Sequence, residues 1–171
     1  MSLKSFFAKI YANRTQKKIQ EWSNSPIESQ REVFQELISG GLDTAFGKDH
    51  NFSKIEDYLD FKKNVPIRDY EALRPYINRS VNGESDILWK GKPIYFCKTS
   101  GTTSGTKYIP ITKESMPNHI NAAKNALLSY IAETGNADFV TGKMIFLQGS
   151  PELGKKNGIP FGRLSGIVAH H

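Results

Sequence analysis

The run Thr99-Ser100-Gly101-Thr102-Thr103-Ser104-Gly105-Thr106-Lys107 concentrates most of the chemistry that this sequence offers. Gly101 and Gly105 permit tight backbone turns that bring N–H groups close to an anion. The hydroxyls of Ser100, Thr102, Thr103 and Ser104 can donate hydrogen bonds to phosphate oxygens, and Lys107 adds a point charge. Such a loop suits the β- and γ-phosphates of a nucleotide. The competing reading is a plain turn rich in Ser, Thr and Gly. A turn needs only two or three such residues, whereas this run is unbroken from Thr99 to Thr106 and ends in a lysine.

Two familiar phosphate motifs do not fit. The Walker loop requires glycine, four residues, then Gly-Lys-Ser/Thr at the start of a helix. Counted from Gly101, the second glycine arrives one residue early, Lys107 is not directly behind it, and Tyr108 stands where Ser or Thr is required. The loop also leads into Tyr108-Ile109-Pro110-Ile111, an extended run rather than a helix. The Gly-x-Gly-x-x-Gly dinucleotide fingerprint is absent.

No other constellation competes. Cys97, the only cysteine, follows Ile94-Tyr95-Phe96 and reads as an inert buried thiol. A lone cysteine suggests a reducing compartment, hence a cytoplasmic protein. His50, His119, His170 and His171 lack metal-ligand spacing supported by nearby Cys, Asp or Glu, so no metal site is expected, and His170-His171 reads equally as ordinary strand-end residues or as ligands. No catalytic residue is assignable beyond those that grip phosphate.

The elements that must position the loop fall into two stretches. Up to residue 90 the pattern is helical. Leu3, Phe6, Phe7, Ile10 and Tyr11 recur at helical spacing, with Thr15, Ile19 and Trp22 continuing the stripe. Early lysines without an acid until Glu21 have the flavour of a transit peptide, but the continuous stripe favours a packed amphipathic helix. A second helix follows, with Ser25 as cap, Pro26 in first position and Glu28 completing a capping box. Its stripe is Ile27, Phe34, Leu37 and Ile38, and Gly40-Gly41 stops it. Residues 44–50 form a connector. A short helix around Ile55, Tyr58 and Leu59 closes at Val65-Pro66, and another begins near Arg68, where Pro75 is expected to kink or end it.

From residue 94 the period changes. Residues 94–98 read as a strand, residues 108–111 as a short edge strand, and Thr112 caps a helix with Met116, Ile120, Ala123, Leu127 and Ile131 on one face. Met144-Ile145-Phe146-Leu147 then reads as a strand buried on both faces of a parallel sheet and adjacent to 94–98. Residues 150–158 look like loop. The fold class is therefore α/β: a helix-rich amino-terminal segment, residues 1–90, then the start of a mainly parallel sheet carrying the Ser/Thr/Gly phosphate loop, residues 91–171. So short a sheet cannot cover both its faces, which reads as an incomplete domain.

The net charge of +6 could serve nucleic acid, a membrane surface or a polyphosphate. The basic residues are scattered among acids, with no cluster interleaved with stacking aromatics, so neither a nucleic acid nor a membrane partner is expected. No apolar run approaches the length of a membrane-spanning helix.

The run from Thr99 to Lys107 resembles the phosphate loop of the adenylate-forming superfamily. Three further segments, Thr44–His50, Val65–Glu71 and Lys107–Pro110, look like those of the auxin- and jasmonate-conjugating acyl-acid amido synthetases and their bacterial relatives. The resemblance covers roughly residues 30 to 170. It implies an ATP-dependent ligase with magnesium accompanying the nucleotide. A carboxylic acid is activated as an acyl-adenylate, then passed to an amine, usually an amino acid. Thr99, Ser100, Gly101, Thr102, Thr103, Ser104, Gly105 and Lys107 would hold ATP. The helix from Lys113 to about Thr134 would form a wall of the acyl pocket, where Ala126 and Leu127 supply no cationic anchor.

Members of that family are considerably longer. The resemblance therefore implies that residues 1–171 form the amino-terminal part of the large adenylation domain. The carboxyl-terminal domain and the metal, adenine and ribose contacts would lie in the remainder, without which the chain is expected to be inactive. An acyl-CoA ligase sharing the loop, or a nucleotide-binding module without catalysis, remain alternatives.

Overall fold

The computed structural model describes residues 2–99 and 105–171. In chain order the helices are α1 (Leu3–Asn24), α2 (Pro26–Gly41), α3 (Ala45–Asp49), α4 (Tyr58–Asn64), α5 (Tyr70–Val81), α6 (Met116–Thr134) and α7 (Leu164–His170). The strands are β1 (Tyr95–Lys98), β2 (Tyr108–Ile111), β3 (Gly154–Lys156) and β4 (Ile159–Gly162). The chain divides into two compact units, residues 1–31 with 116–147, and residues 32–115 with 148–171.

In the first unit α1 packs against α6. The Ser2 hydroxyl caps α1 by accepting from the Ser5 N–H at 3.1 Å. The buried face of α1 is not the expected aromatic stripe. Ser5 and Ala12 are buried, with Ala8 packed beside them, while Leu3, Phe6, Phe7, Tyr11 and Trp22 are exposed. Large side chains come instead from α6, where Leu128 and Ile131 meet Ala12 and Ala137. Small residues on one helix opposite branched residues on the other allow close packing. The expected face of α6 holds in part: Met116 and Ile131 are buried, but Ala123 and Leu127 are exposed and Leu128 is buried instead.

The segment Met144-Ile145-Phe146-Leu147 is not a strand. Its residues form no ladder, and Ile145 and Leu147 are 90% and 100% exposed. Four apolar residues in a row satisfy the pattern of a buried strand, but strand formation also needs a neighbour to take its backbone hydrogen bonds.

In the second unit, Ile38 of α2 packs with Phe52 and Ile55, ringed by Phe34, Phe46, Phe61 and Val65. Ile27 and Leu37 of the expected stripe are exposed. Burying a side chain of this size stabilises by about 1.5–3 kcal/mol. The connector 44–50 contains α3, started by Thr44, whose hydroxyl accepts from the Gly47 N–H at 2.9 Å. The first amides of α3 are satisfied by the Asp86 and Ile87 carbonyls at 2.8 and 3.0 Å. Asp57 caps α4 and Asp69 caps α5 through side-chain bonds to Asp60 and Ala72. α5 runs through Pro75 to Val81 rather than ending there. Pro75 is exposed, so the carbonyl it leaves without a helical partner can face water.

The sheet has the order β2-β1-β4-β3. It is mixed, not mainly parallel. β1 pairs antiparallel with β2, parallel with β4, and β3 pairs antiparallel with β4. The parallel neighbour of β1 is thus Ile159–Gly162, not the expected 143–148. The cause is local. A short link between β1 and β2 forms a hairpin, and only the long excursion before β4 permits a parallel return. Within the expected loop 150–158, β3 begins a second hairpin with β4, turning at Asn157 and Gly158 with φ of 48° and 81°. Both values are left-handed, which Asn-Gly supplies at low cost. The last apolar segment, with His170, is the helix α7 rather than a strand. On one side of the sheet Phe96 and Ile159 pack against Ile77 and Val81 of α5.

Gly47 is required by a close backbone approach: a Cβ there would lie 2.1 Å from the Gly41 carbonyl oxygen. Gly47→Ala should lower stability by at least about 2 kcal/mol despite the better helix propensity of alanine. Gly142→Ala, whose added carbon would meet its nearest neighbour at 3.7 Å, should stay within about 0.5 kcal/mol. Urea denaturation of both variants checks the contrast.

Candidate functional site

The candidate loop is the link of the β1–β2 hairpin. Lys98 pairs with Tyr108 at its base, and the Thr99 N–H donates to the Lys107 carbonyl at 3.1 Å. Residues 100–104, hence Ser100, Gly101, Thr102, Thr103 and Ser104, lie outside the described residues. The flanking members are placed. Gly105 has φ of 78°, with nothing within 4 Å of a Cβ position. Its glycine is therefore required by backbone conformation and not by crowding.

An aromatic floor holds the base of this loop. The Tyr108 N–H donates to the Tyr70 hydroxyl at 2.8 Å, and that hydroxyl contacts the Tyr108 carbonyl at 3.5 Å. β2 is an edge strand, so its outward N–H needs a partner from outside the sheet. Tyr70 provides it from the first turn of α5, whose start is fixed by the Asp69 cap. The Tyr108 ring meets Phe96 and Phe161 edge-on, at centroid distances of 6.1 and 5.8 Å. The Lys107 ammonium lies over the Tyr70 ring at 5.2 Å. Arg74 approaches the same ring at 5.8 Å, but its charge is engaged by Glu71 at 2.8 Å.

A second cluster joins two of the segments that carry the family resemblance. The Arg68 guanidinium donates to His50 Nε2 at 2.6 Å, and His50 Nδ1 lies 2.7 Å from the Phe46 carbonyl. Arginine can only donate, so Nε2 must accept and Nδ1 must carry the proton. His50 is buried and stacks on Phe46 at 4.1 Å. Tyr76 donates to Asp49 at 2.7 Å. Burial, reinforced by that bond and by the Asp49 charge, holds the Tyr76 phenol above its ordinary range. These contacts fix α3 to the start of α5, and so brace Tyr70.

Cys97 is half-buried, and burial pushes its thiol up against a smaller opposing effect of the Leu164 backbone. It is therefore not poised as a thiolate. Among the described residues no group of three His, Cys, Asp or Glu side chains is placed to hold a metal ion. Among them, too, no helix is long and apolar enough to cross a membrane.

The sequence reading missed Tyr70, although it lies in the segment Val65–Glu71 that was singled out. A tyrosine one residue after a capping aspartate was the available signal. It also passed over Lys98 and Tyr108 as flanks.

Residues 15–171 match the GH3 family N-terminal domain. The chain belongs to the GH3 family. Among curated GH3 relatives, it is 29% identical over 136 residues to a jasmonoyl–L-amino acid synthetase, JAR4, of Nicotiana attenuata, covering 78% of this chain and 23% of that protein. It is 32% identical over 105 residues to the indole-3-acetic acid-amido synthetase GH3.15 of Arabidopsis thaliana, covering 60% of this chain and 18% of that one. A solved structure of the GH3.15 acyl acid amido synthetase superposes with a TM-score of 0.77 at 25% identity, over 90% of this chain and 28% of that one. The GH3 chain thus spans about a quarter or less of the length of these proteins.

Tyr70→Phe removes only the hydroxyl that receives the Tyr108 amide. The expected loss is about 0.5–1.5 kcal/mol in urea denaturation. Amide hydrogen exchange should quicken at Tyr108 before it does at Phe96, which lies on an inner strand. Equal exchange rates in parent and variant at Tyr108 would show that the bond does not hold the edge.

Proposed function

We propose that this chain is the amino-terminal part of the large adenylation domain of an ATP-dependent acyl-acid amido synthetase. The observation that carries the reading is the Ser/Thr/Gly-Lys run on the β1–β2 hairpin, within a chain matched to the GH3 domain over residues 15–171. The relatives' names, which pair an acid such as indole-3-acetic acid with an amido product, support the substrate classes: a small carboxylic acid and an amine, with an amino acid as acceptor.

In the first step an oxygen of the substrate carboxylate attacks the α-phosphorus of ATP. The new bond is carboxylate O to Pα, the bond broken joins Pα to the bridging oxygen, and pyrophosphate leaves with the electron pair. In the second, the amine nitrogen attacks the activated carbonyl, AMP leaves, and the nitrogen gives up a proton. The role of the loop is to hold the β- and γ-phosphates. Ser100, Thr102, Thr103 and Ser104 donate hydroxyl hydrogen bonds, backbone N–H groups made accessible by Gly101 and Gly105 add to them, and Lys107 supplies charge. Donors aimed at a departing anion lower the barrier most where charge accumulates. The described residues do not fit a protein-held metal. Magnesium in this reading comes with the phosphates of the nucleotide, and no step is assigned to it. Further contacts to the nucleotide and to both substrates belong to chain outside residues 1–171, so these residues alone should not catalyse adenylation.

The test is ATP–pyrophosphate exchange by the full-length protein, measured beside thermal unfolding. Ser100→Ala with Thr102→Ala removes two donors to charged oxygens, worth about 1.5–3 kcal/mol each. Exchange should fall at least about tenfold, at about 1.4 kcal/mol per decade, with the thermal midpoint almost unmoved. Lys107→Ala should raise the KM for ATP more than that for the acid. Exchange at the parental rate, together with a sharply lowered midpoint, would make the loop structural and overturn the assignment.

A further inference from the structure

Lys107 is not the only ammonium set on this aromatic floor. Lys156, at the end of β3, lies over the Tyr108 ring at 4.7 Å, and Lys98, at the end of β1, lies over the Phe161 ring at 5.8 Å. The three rings form one connected group. Tyr70 is bonded to the Tyr108 backbone at 2.8 Å, and Tyr108 meets Phe161 at 5.8 Å between centroids. Three positive charges, from the ends of β1 and β3 and from the loop, therefore sit on a single patch at the base of the hairpin.

Among the described residues no ion pair compensates them. Among the described residues the ion pairs are Lys63–Asp60, Arg74–Glu71 and Arg79–Glu84, and none involves these three lysines. None of their ammoniums has a hydrogen-bond partner among the described residues either. Three like charges brought together without an acid are mutually repulsive, and such a group is relieved by a multiply charged anion. Each stem is already seated on a ring. A free lysine loses rotamer freedom when it is fixed by a ligand. Here part of that ordering precedes the ligand, while a ring occupies only one side of the ammonium and leaves donors available.

We propose that Lys98 and Lys156 form, with Lys107, a cationic rim that binds a phosphoanhydride chain. Lys156 would then contribute from the Asn157-Gly158 hairpin, more than forty residues beyond the loop, which gives that hairpin a role in ligand binding. The inference rests on the phosphate-gripping role of the loop. The chemistry is shared by two ligands, the triphosphate of ATP and free pyrophosphate. A nucleoside monophosphate lacks the anhydride chain and should not sense the rim.

The experiment is calorimetric titration of the full-length protein with pyrophosphate, ATP and AMP in turn. Lys98→Gln and Lys156→Gln keep most of the stem and remove the charge. Each should weaken pyrophosphate and ATP roughly tenfold, the loss of one charge-assisted hydrogen bond, with AMP unchanged. A loss for ATP alone assigns the rim to the bound nucleotide, and a loss for both assigns it also to the leaving product. Lys156→Arg should retain most of the affinity. Thermal midpoints should match the parent, because exposed cation–π contacts contribute little to stability. If both Gln variants bind as the parent does while Lys107→Ala loses binding, the rim is wrong and the loop assignment stands. Lowered midpoints with unchanged affinities would make the lysines structural. A parent that binds neither pyrophosphate nor ATP overturns loop and rim together.

Discussion

The bond from the Tyr108 amide to the Tyr70 hydroxyl is the constraint on which the loop's setting depends. A four-residue edge strand has one row of backbone groups with no partner in its own sheet. Left open, β2 would fray, and fraying would begin at Tyr108, where the loop re-enters the strand. Tyr70 closes that point with one atom, and its ring then serves Lys107 on the face. The same residue thus secures backbone and charge. Its position follows from α5, which begins at the Asp69 cap and is braced through Arg68, His50 and Tyr76. The second cluster, acting through α5, thus decides where the hydroxyl sits.

This arrangement joins two separate segments of the sequence. Thr44–His50 and Val65–Glu71 have little in common as strings. In the fold they meet at the Arg68–His50 bond, and α3 is held in turn by Asp86 and Ile87 carbonyls and by the bare backbone of Gly47. A substitution in either segment would be felt by the other. The pairing also fixes the tautomer of His50, since an arginine can face only the unprotonated nitrogen.

Much of this was legible from residue types alone. The start of α2 at Pro26 and its stop at Gly41 follow from local chemistry, whereas the caps at Asp57 and Asp69, which set the starts of α4 and α5, were not among the expected ones. The run from Thr99 to Lys107 stands out because its composition is extreme, and it links β1 to β2. What misled was pattern without partner. Met144–Leu147 carries the apolar content of a strand but has no ladder among the described residues. Asn157-Gly158 carries a strong hairpin signal but is flanked by Lys155, Lys156 and Pro160, which weaken the strand pattern on either side. The face of α1 was misplaced because hydrophobicity was weighed and volume was not. Alanine at 8 and 12 packs closer against Leu128 and Ile131 than phenylalanine could, and Ser5 donates to the Ala137 carbonyl.

The sheet's mixed topology also bears on how charge gathers. In a purely parallel sheet, consecutive strands reach the same edge only through long crossovers, and each crossover brings one loop. Here two hairpins do the work, β1–β2 and β3–β4, placed side by side through the parallel pairing of β1 with β4. Phe96 and Phe161 are partners in that pairing, so their rings lie on one face with Tyr108 beside them. A lysine two residues after Phe96 falls on the same face by the period of the strand. Lys156 reaches that face from the outer hairpin. Charge is thus collected by register, and the aromatic layer beneath it is the outer part of the same core that holds Ile77 and Val81 of α5 against the sheet. Packing and charge placement are two consequences of one pairing, since slipping β1 against β4 by one residue would turn Phe96 and Lys98 together to the opposite side.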